Sequence, residues 1–274
     1  MTEIKNADQL TSSEFKKSLK TRKTRLWIGG STLVTGVLFG IGAGPSGGAA
    51  MAALALGIGL LIVRVKAGRR AEEAFYDSFA KSRGLKRSAD QMSPATPLLR
   101  KGDERKTDEM FSGQLNPEFQ GALVLYTFTE VYQDGKGNRQ ETNYPFTLVT
   151  IEMPKFAEHM PVLVVEAQGS RIFDKLGDAF RGNLERVRLE SAAFDDRFQV
   201  FTRKDQDPVW TRRLFSPSFI LYLADHPTKD FAFEFESGRL VAYVPKYKET
   251  DAELDHVIAI GCELASKLNA EANS

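Results

Sequence analysis

Side chains able to move a proton near neutral pH are few in this chain. Its three histidines are His159, His226 and His256. They fall in three separate elements, with no H-x-x-x-H or His/Asp/Glu ligand spacing. His226-Pro227 reads as a loop after a helix, and His256 sits early on the last helix, off its main apolar face. The carboxylates Glu190, Asp195 and Asp196 lie close together. Acids at that spacing can hold a metal or act as acid and base. They can equally supply helix-end charge and fix the turn between Phe194 and Phe198, and without a third ligand nearby the second role is favoured. Gly135-Lys136-Gly137 is too short for a phosphate loop and precedes a strand, so no helix N-terminus is at hand to hold an anion. G-x-S-x-G and Walker motifs are absent. Trp210 with Arg212 and Arg213 could contact a phosphate or an acidic partner, although such residues more often form a solvated helix face. Cys262 is the single cysteine, which excludes an intrachain disulfide and a Cys-based zinc site. The sequence therefore assigns no catalytic residue, cofactor or metal.

The elements that would position these groups divide by charge. Residues 1–70 carry eleven basic and three acidic side chains, a net +8, and the remainder carries −7. The basic excess is local to an apolar segment, which points to anionic lipid headgroups rather than nucleic acid. From Leu26 to Val63 no side chain is charged, a run of 38 residues. One spanning helix needs only about 20. Gly44-Pro45-Ser46-Gly47-Gly48 lies near the middle, where proline removes an N–H and glycine weakens the helix. The pattern predicts a transmembrane helical hairpin over 26–65, with helices at 26–43 and 49–65.

Both flanks of that hairpin are basic. Arg22, Lys23 and Arg25 precede it, with Trp27 at the interface, and Arg64, Lys66, Arg69 and Arg70 follow it. An uncharged turn between two basic flanks places the N-terminus and the C-terminal domain in the cytoplasm of a multi-pass cell (inner) membrane protein. Small residues recur every four positions at Gly36, Gly40 and Gly44, and again at Ala49, Ala53 and Gly57. They allow close helix contact in lipid, within the hairpin or between copies in a homo-oligomer. A re-entrant hairpin dipping into one leaflet is the alternative topology.

The remaining segments are expected as follows. Residues 1–25 form a basic cytosolic segment, 66–84 a juxtamembrane helix, 85–108 a linker rich in Pro and charge, and 109–270 a soluble α+β domain. β-Prone runs at 123–132, 144–153, 161–167, 198–202, 231–236 and 240–244 are mostly adjacent in sequence, which favours an antiparallel sheet. Residues 171–184 weakly suggest a helix. Ser216-Pro217 reads as a helix start. Thr250-Asp251-Ala252-Glu253 is a capping box opening a C-terminal helix with Leu254, Val257, Ile258, Gly261, Leu264, Ala265 and Leu268 on one face.

Leu189-Glu190-Ser191-Ala192-Ala193-Phe194-Asp195-Asp196-Arg197-Phe198-Gln199-Val200, followed by Leu214-Phe215-Ser216-Pro217-Ser218-Phe219 and Leu223, resembles the bacterial domain-of-unknown-function family numbered 3137. Leu189, Glu190, Phe194, Phe198 and Pro217 carry the resemblance, and Ser216 stands where that family usually has threonine, keeping a capping hydroxyl. The resemblance is sharp over 189–223 and implies two N-terminal spans and a bacterial cell-membrane location, but no activity.

Three function classes follow. The first is a non-enzymatic, membrane-anchored cytosolic binding or scaffold domain whose partner is another protein. The second is a membrane-bound enzyme with a site near 190–217. The third is a glycine-rich hairpin that drives oligomerisation or shapes the membrane.

Overall fold

The computed structural model describes residues 22–154, 162–168, 183–228 and 230–272, with the backbone alone for 22–49. The first 21 residues, His159 and most of the helix expected at 171–184 lie outside the described residues. The chain divides into two units, 1–81 and 82–274.

Among the described residues the first unit consists of one helix, α1, Arg22–Ser82. The turn expected at Gly44–Gly48 is not seen: the backbone stays helical through Pro45. Proline removes one N–H bond, whereas a turn would leave several backbone groups without partners in an apolar run. The juxtamembrane helix expected at 66–84 is the continuation of α1. Among the described residues no helix is long and apolar enough to cross a membrane.

The second unit is an α+β domain on a nine-stranded sheet of order β1-β2-β3-β4-β9-β8-β5-β7-β6. The strands are β1 Lys86–Ser88, β2 Glu104–Gln114, β3 Gln120–Gln133, β4 Arg139–Glu152, β5 Leu163–Ala167, β6 Leu184–Val187, β7 Phe198–Arg203, β8 Ala232–Glu236 and β9 Arg239–Pro245. Every neighbouring pair is antiparallel, as the adjacency of the β-prone runs predicts. β3 and β4 form a long hairpin closed by Asp134, whose Oδ1 accepts the N–H groups of Lys136 and Asn138, both at 2.9 Å. Gly137 supplies the left-handed residue of that turn, at φ 81°.

Residues 85–108 are not a linker. They hold β1, the short helix α2 Pro97–Arg100 and the start of β2. Their charge and prolines suggest exposure, yet Pro97, Leu98 and Leu99 are buried. The segment crosses one face of the sheet as a strap, and its apolar pair Leu98-Leu99 seats among Val124, Tyr126, Leu148, Val241 and Tyr243. Residues 183–187, at the end of the expected helix, are instead followed into edge strand β6, which pairs with β7.

The opposite face carries the aligned row Leu123, Val149, Ala242, Phe233, Val165 and Val200. The C-terminal helix α6, Asp251–Ala272, lies across it. Gly261 makes this possible: a Cβ there would sit 2.6 Å from Cγ1 of Val149, so helix and strand touch through a bare backbone. The capping box forms as expected, with Glu253 N–H donating to Thr250 Oγ1 at 3.3 Å and Thr250 Oγ1 to Glu253 Oε2 at 2.8 Å. Three shorter helices are also among the described residues: α3 Ala192–Asp195, α4 Pro208–Leu214 and α5 Pro217–Asp225.

Candidate functional site

A groove of about 480 Å³ runs between α5 and α6. Its wall includes Tyr222, Asp225, His226, His256 and Glu263, with Leu221 at the lip. The fold thus brings together two of the three histidines that the sequence leaves in separate elements.

The α5 side is built from its start. Ser216 caps the helix, accepting the Phe219 N–H at 3.2 Å, and Pro217 takes the first helical position. The 3.6-residue period then puts Phe219 and Leu223 inward and leaves Leu221 61% exposed. Behind α5 runs a chain of rings. Phe194 packs on Phe198 at 5.5 Å and on Phe215 at 5.8 Å, Phe215 on Phe219 at 5.5 Å, and Phe219 on Tyr222 at 6.1 Å. His226 closes the chain, its ring 5.6 Å from Tyr222 and 4.5 Å from Phe231. Phe194, Phe198 and Pro217, three of the family-like residues, therefore support the groove from behind rather than lining it.

Arg197 fixes the far end of α5. Its guanidinium donates to the carbonyls of Ala224 and, at 3.2 Å, Thr228. It satisfies carbonyls at the negative end of the helix. The loop it holds places Thr228 between the histidines, with a separate bond to each. Thr228 N–H donates to His226 Nδ1 at 3.2 Å, and Thr228 Oγ1 lies 2.9 Å from His256 Nε2. Because Nδ1 accepts, the neutral His226 ring carries its proton on Nε2. Burial pushes the His226 pKa below that of a free imidazole.

The Tyr222 hydroxyl is buried without a hydrogen-bond partner among the described residues. Burial, reinforced by Glu263, raises its pKa far above the usual phenol value, so it stays a neutral donor. Lys267 Nζ stands 5.4 Å from the centre of the Tyr222 ring. Around the groove the exposed groups are the carboxylates of Asp225 and Glu263, while the Tyr222 hydroxyl and the His226 ring lie buried behind its wall. Among the described residues no three His, Cys, Asp or Glu side chains are grouped to hold a metal.

The acids singled out in the sequence do not reach the groove wall. Glu190 is exposed, in a left-handed backbone at φ 57°. Asp195 ends α3, which Ser191 caps by accepting the Phe194 N–H at 3.4 Å, and Asp196 follows it exposed. Cys262 is buried on α6, and burial raises its thiol pKa to about 11, which keeps it unreactive.

A second polar cluster escapes sequence reasoning. Glu234 alternates with Phe233 and Phe235 on β8, which suggests a solvent-facing side chain, yet it is 3% exposed. The strap covers it. Both carboxylate oxygens accept the Leu98 N–H, at 2.8 and 3.1 Å, so a sheet carboxylate caps α2. Tyr243 Oη donates to the same group at 3.4 Å. Burial pushes the Glu234 pKa up to about 7. Close by on the strap, Lys101 is 6% exposed, 3.9 Å from Glu130, and burial lowers its pKa to about 8. The only sequence signal for this cluster is a charged residue amid a phenylalanine run.

Fold and groove together define an antiparallel α+β domain that follows the 61-residue helix α1 in the chain. No family model matches the chain, and no curated protein matches it either. Among solved structures the chain is similar to the crystal structure of the mycobacterial trehalose monomycolate transport factor A, TtfA, at 12% identity and a TM-score of 0.46, over 74% of this chain and 94% of that one.

Proposed function

We propose that this chain is a membrane-anchored binding or scaffold protein, with α1 in the cell membrane and the sheet domain presenting the groove in the cytoplasm. One observation carries the reading. Leu54 (58% exposed), Ile58 (53%) and Leu61 (64%) leave α1 apolar toward its surroundings, within a run uncharged from Leu26 to Val63. In water that surface is costly; in hydrocarbon it is favoured. The Arg64, Lys66, Arg69 and Arg70 flank supplies cations for anionic headgroups.

At 1.5 Å per residue the uncharged run is roughly 57 Å long, nearly twice the roughly 30 Å hydrocarbon core. A run of that length fits the bilayer as two spans, both flanks cytoplasmic, if the continuous helix of the structure opens at Gly44-Pro45. The competing arrangement is a straight, single-span helix, which puts the flanks on opposite sides. Single cysteines at Ser18, Ser46 and Ser93, placed in a Cys262→Ser background, distinguish these with a membrane-impermeant maleimide on intact cells. The hairpin expects labelling at position 46 alone. Labelling at either 18 or 93 without 46 supports the straight helix. Recovery of the full chain in the detergent-free soluble fraction would sink the anchor altogether.

Self-association is a second reading, with an observation of its own. A Cβ at Gly57 would meet no atom within 4 Å among the described residues, so nothing in the helix itself requires its smallness. A close helix contact in lipid would. Gly57→Leu, followed by cross-linking in membranes, tests it: loss of self-links supports an oligomer, and unchanged links exclude this face.

A further inference from the structure

We propose that the groove between α5 and α6 docks a basic segment of a partner protein. A large apolar side chain of that segment packs on Leu221 and Ile260, and its lysines or arginines meet Asp225 and Glu263. This deepens the proposed function and rests on the sheet domain being a binding module; it does not depend on the anchor.

Each wall is one helical stripe. Ser218, Leu221, Tyr222 and Asp225 line it from α5, and His256, Ala259, Ile260 and Glu263 from α6. Both sets are spaced i, i+3, i+4, i+7, so each occupies a single helix face. Phe219 and Leu223 fill the core side of α5, and Leu221 takes no share in that core. Ile260 is buried at the floor and Ala259 beside it is exposed. An apolar side chain laid over Leu221 and Ala259 would remove both from water. With Leu221 open to solvent, the groove covers one face of its occupant, as a groove does for a peptide.

Charge specifies the occupant. Other acids of α6 are engaged within the domain: Asp255 pairs with Arg83 at 2.5 Å, Glu253 joins the capping box, and Glu271 accepts from Ser218 Oγ at 3.2 Å. The Asp225 and Glu263 side chains are exposed and form no ion pair or hydrogen bond among the described residues. Lys267, one turn beyond Glu263, stands over the Tyr222 ring and pairs with neither acid. Asp225 also ends α5, at the negative end of the helix dipole, where an anion is disfavoured. A carboxylate kept there without a partner points to a cation supplied from outside. Residues 82–274 carry 25 basic and 30 acidic side chains, a net −5. That field draws a basic segment and turns away anionic headgroups or a second copy of the same face.

A random-peptide library displayed on phage is selected on the full chain in nonionic detergent. The counter-selection target is the chain carrying Leu221→Ser/Asp225→Asn/Glu263→Gln. The expected winners combine a large apolar residue with lysine or arginine three or four positions away. Synthetic copies should bind about tenfold more weakly to Asp225→Asn/Glu263→Gln and to Leu221→Ser, and should weaken as salt is added. All three side chains are exposed, and an unchanged near-UV circular dichroism spectrum verifies folding. Should one variant misfold, the other carries the test. No enrichment over the counter-selection target, enriched peptides that are neutral or acidic, or equal affinity for the wild type and the variants overturns the proposal. So does a photo-crosslinker at position 221 that captures lipid or another copy of this chain in cells in place of a basic segment. Peptide binding in detergent is indifferent to topology. A chain that fails the maleimide and fractionation tests of the anchor can still pass this one, and a chain that passes them can still fail here.

Discussion

Glu234 and Leu98 stand 136 residues apart, and the carboxylate of the first holds the backbone N–H of the second at 2.8 and 3.1 Å in the interior of the domain. This bond fastens the strap to the sheet. Arg100 repeats the attachment on the same strand, 2.6 Å from Glu236, and Tyr126 Oη donates to the Leu99 carbonyl at 3.2 Å.

Glu234→Ala should therefore destabilise the domain by about 1–3 kcal/mol, because the Leu98 N–H is left buried without a partner. Glu234→Gln keeps an acceptor oxygen and removes the buried charge, so it should cost less. Urea unfolding of the full chain in detergent orders the two; equal losses would mean that the N–H bond is not what fastens the strap.

The same carboxyl sets a pH dependence. Its pKa is raised from 4.5 to about 7, so between these values the native state binds more protons than the unfolded one. Its contribution to stability is full below the unfolded value and is lost as pH rises through the folded one. Lys101 runs the other way, lowered from 10.5 to about 8. Its contribution is full above the unfolded value and is lost as pH falls through the folded one. Stability should consequently decline from pH 4.5 to 7 and recover from pH 8 to 10.5. Glu234→Gln should flatten the first limb and Lys101→Met the second, which thermal melts across pH would show.

Gly261→Ala drives a methyl into Val149 and should cost about 1–3 kcal/mol. Val149→Ala in the same chain should recover part of that loss. If the losses simply add in urea titrations, helix and strand do not meet there.

Thr250→Ala removes the cap of α6 and should cost about 0.5–2 kcal/mol. Glu253→Ala in addition should add little, since the two side chains act as one box. Comparing unfolding midpoints of single and double variants measures that coupling.

Tyr222→Phe deletes a buried hydroxyl that lacks a partner among the described residues, so it should leave stability unchanged or raise it by up to about 1 kcal/mol. A clear loss in a thermal melt would mean the hydroxyl is satisfied in solution.

The division between what the chain order specifies and what packing decides is visible in particular elements. Local signals specify the β3–β4 and β8–β9 hairpins and the Ser216 and Thr250 caps, because each rests on residues close together in the chain, whereas the pairing of β4 with β9 and of β5 with β8 joins distant segments. The family-like residues Phe194, Phe198 and Pro217 are likewise legible as a cluster, though not as the support of a groove. Three features belong to the tertiary structure alone. Proline and charge at 85–108 suggest a linker, but long-range contacts with β8 bury its Thr96, Pro97, Leu98 and Leu99 as a strap. Alternation suggests an exposed Glu234, but the strap covers it. His226 and His256 are 30 positions apart on separate elements, and only the packing of α5 against α6 places them around one groove. Periodicity reports which face a side chain takes on its own element, whereas burial depends on what the rest of the chain lays over that face, which no local pattern records.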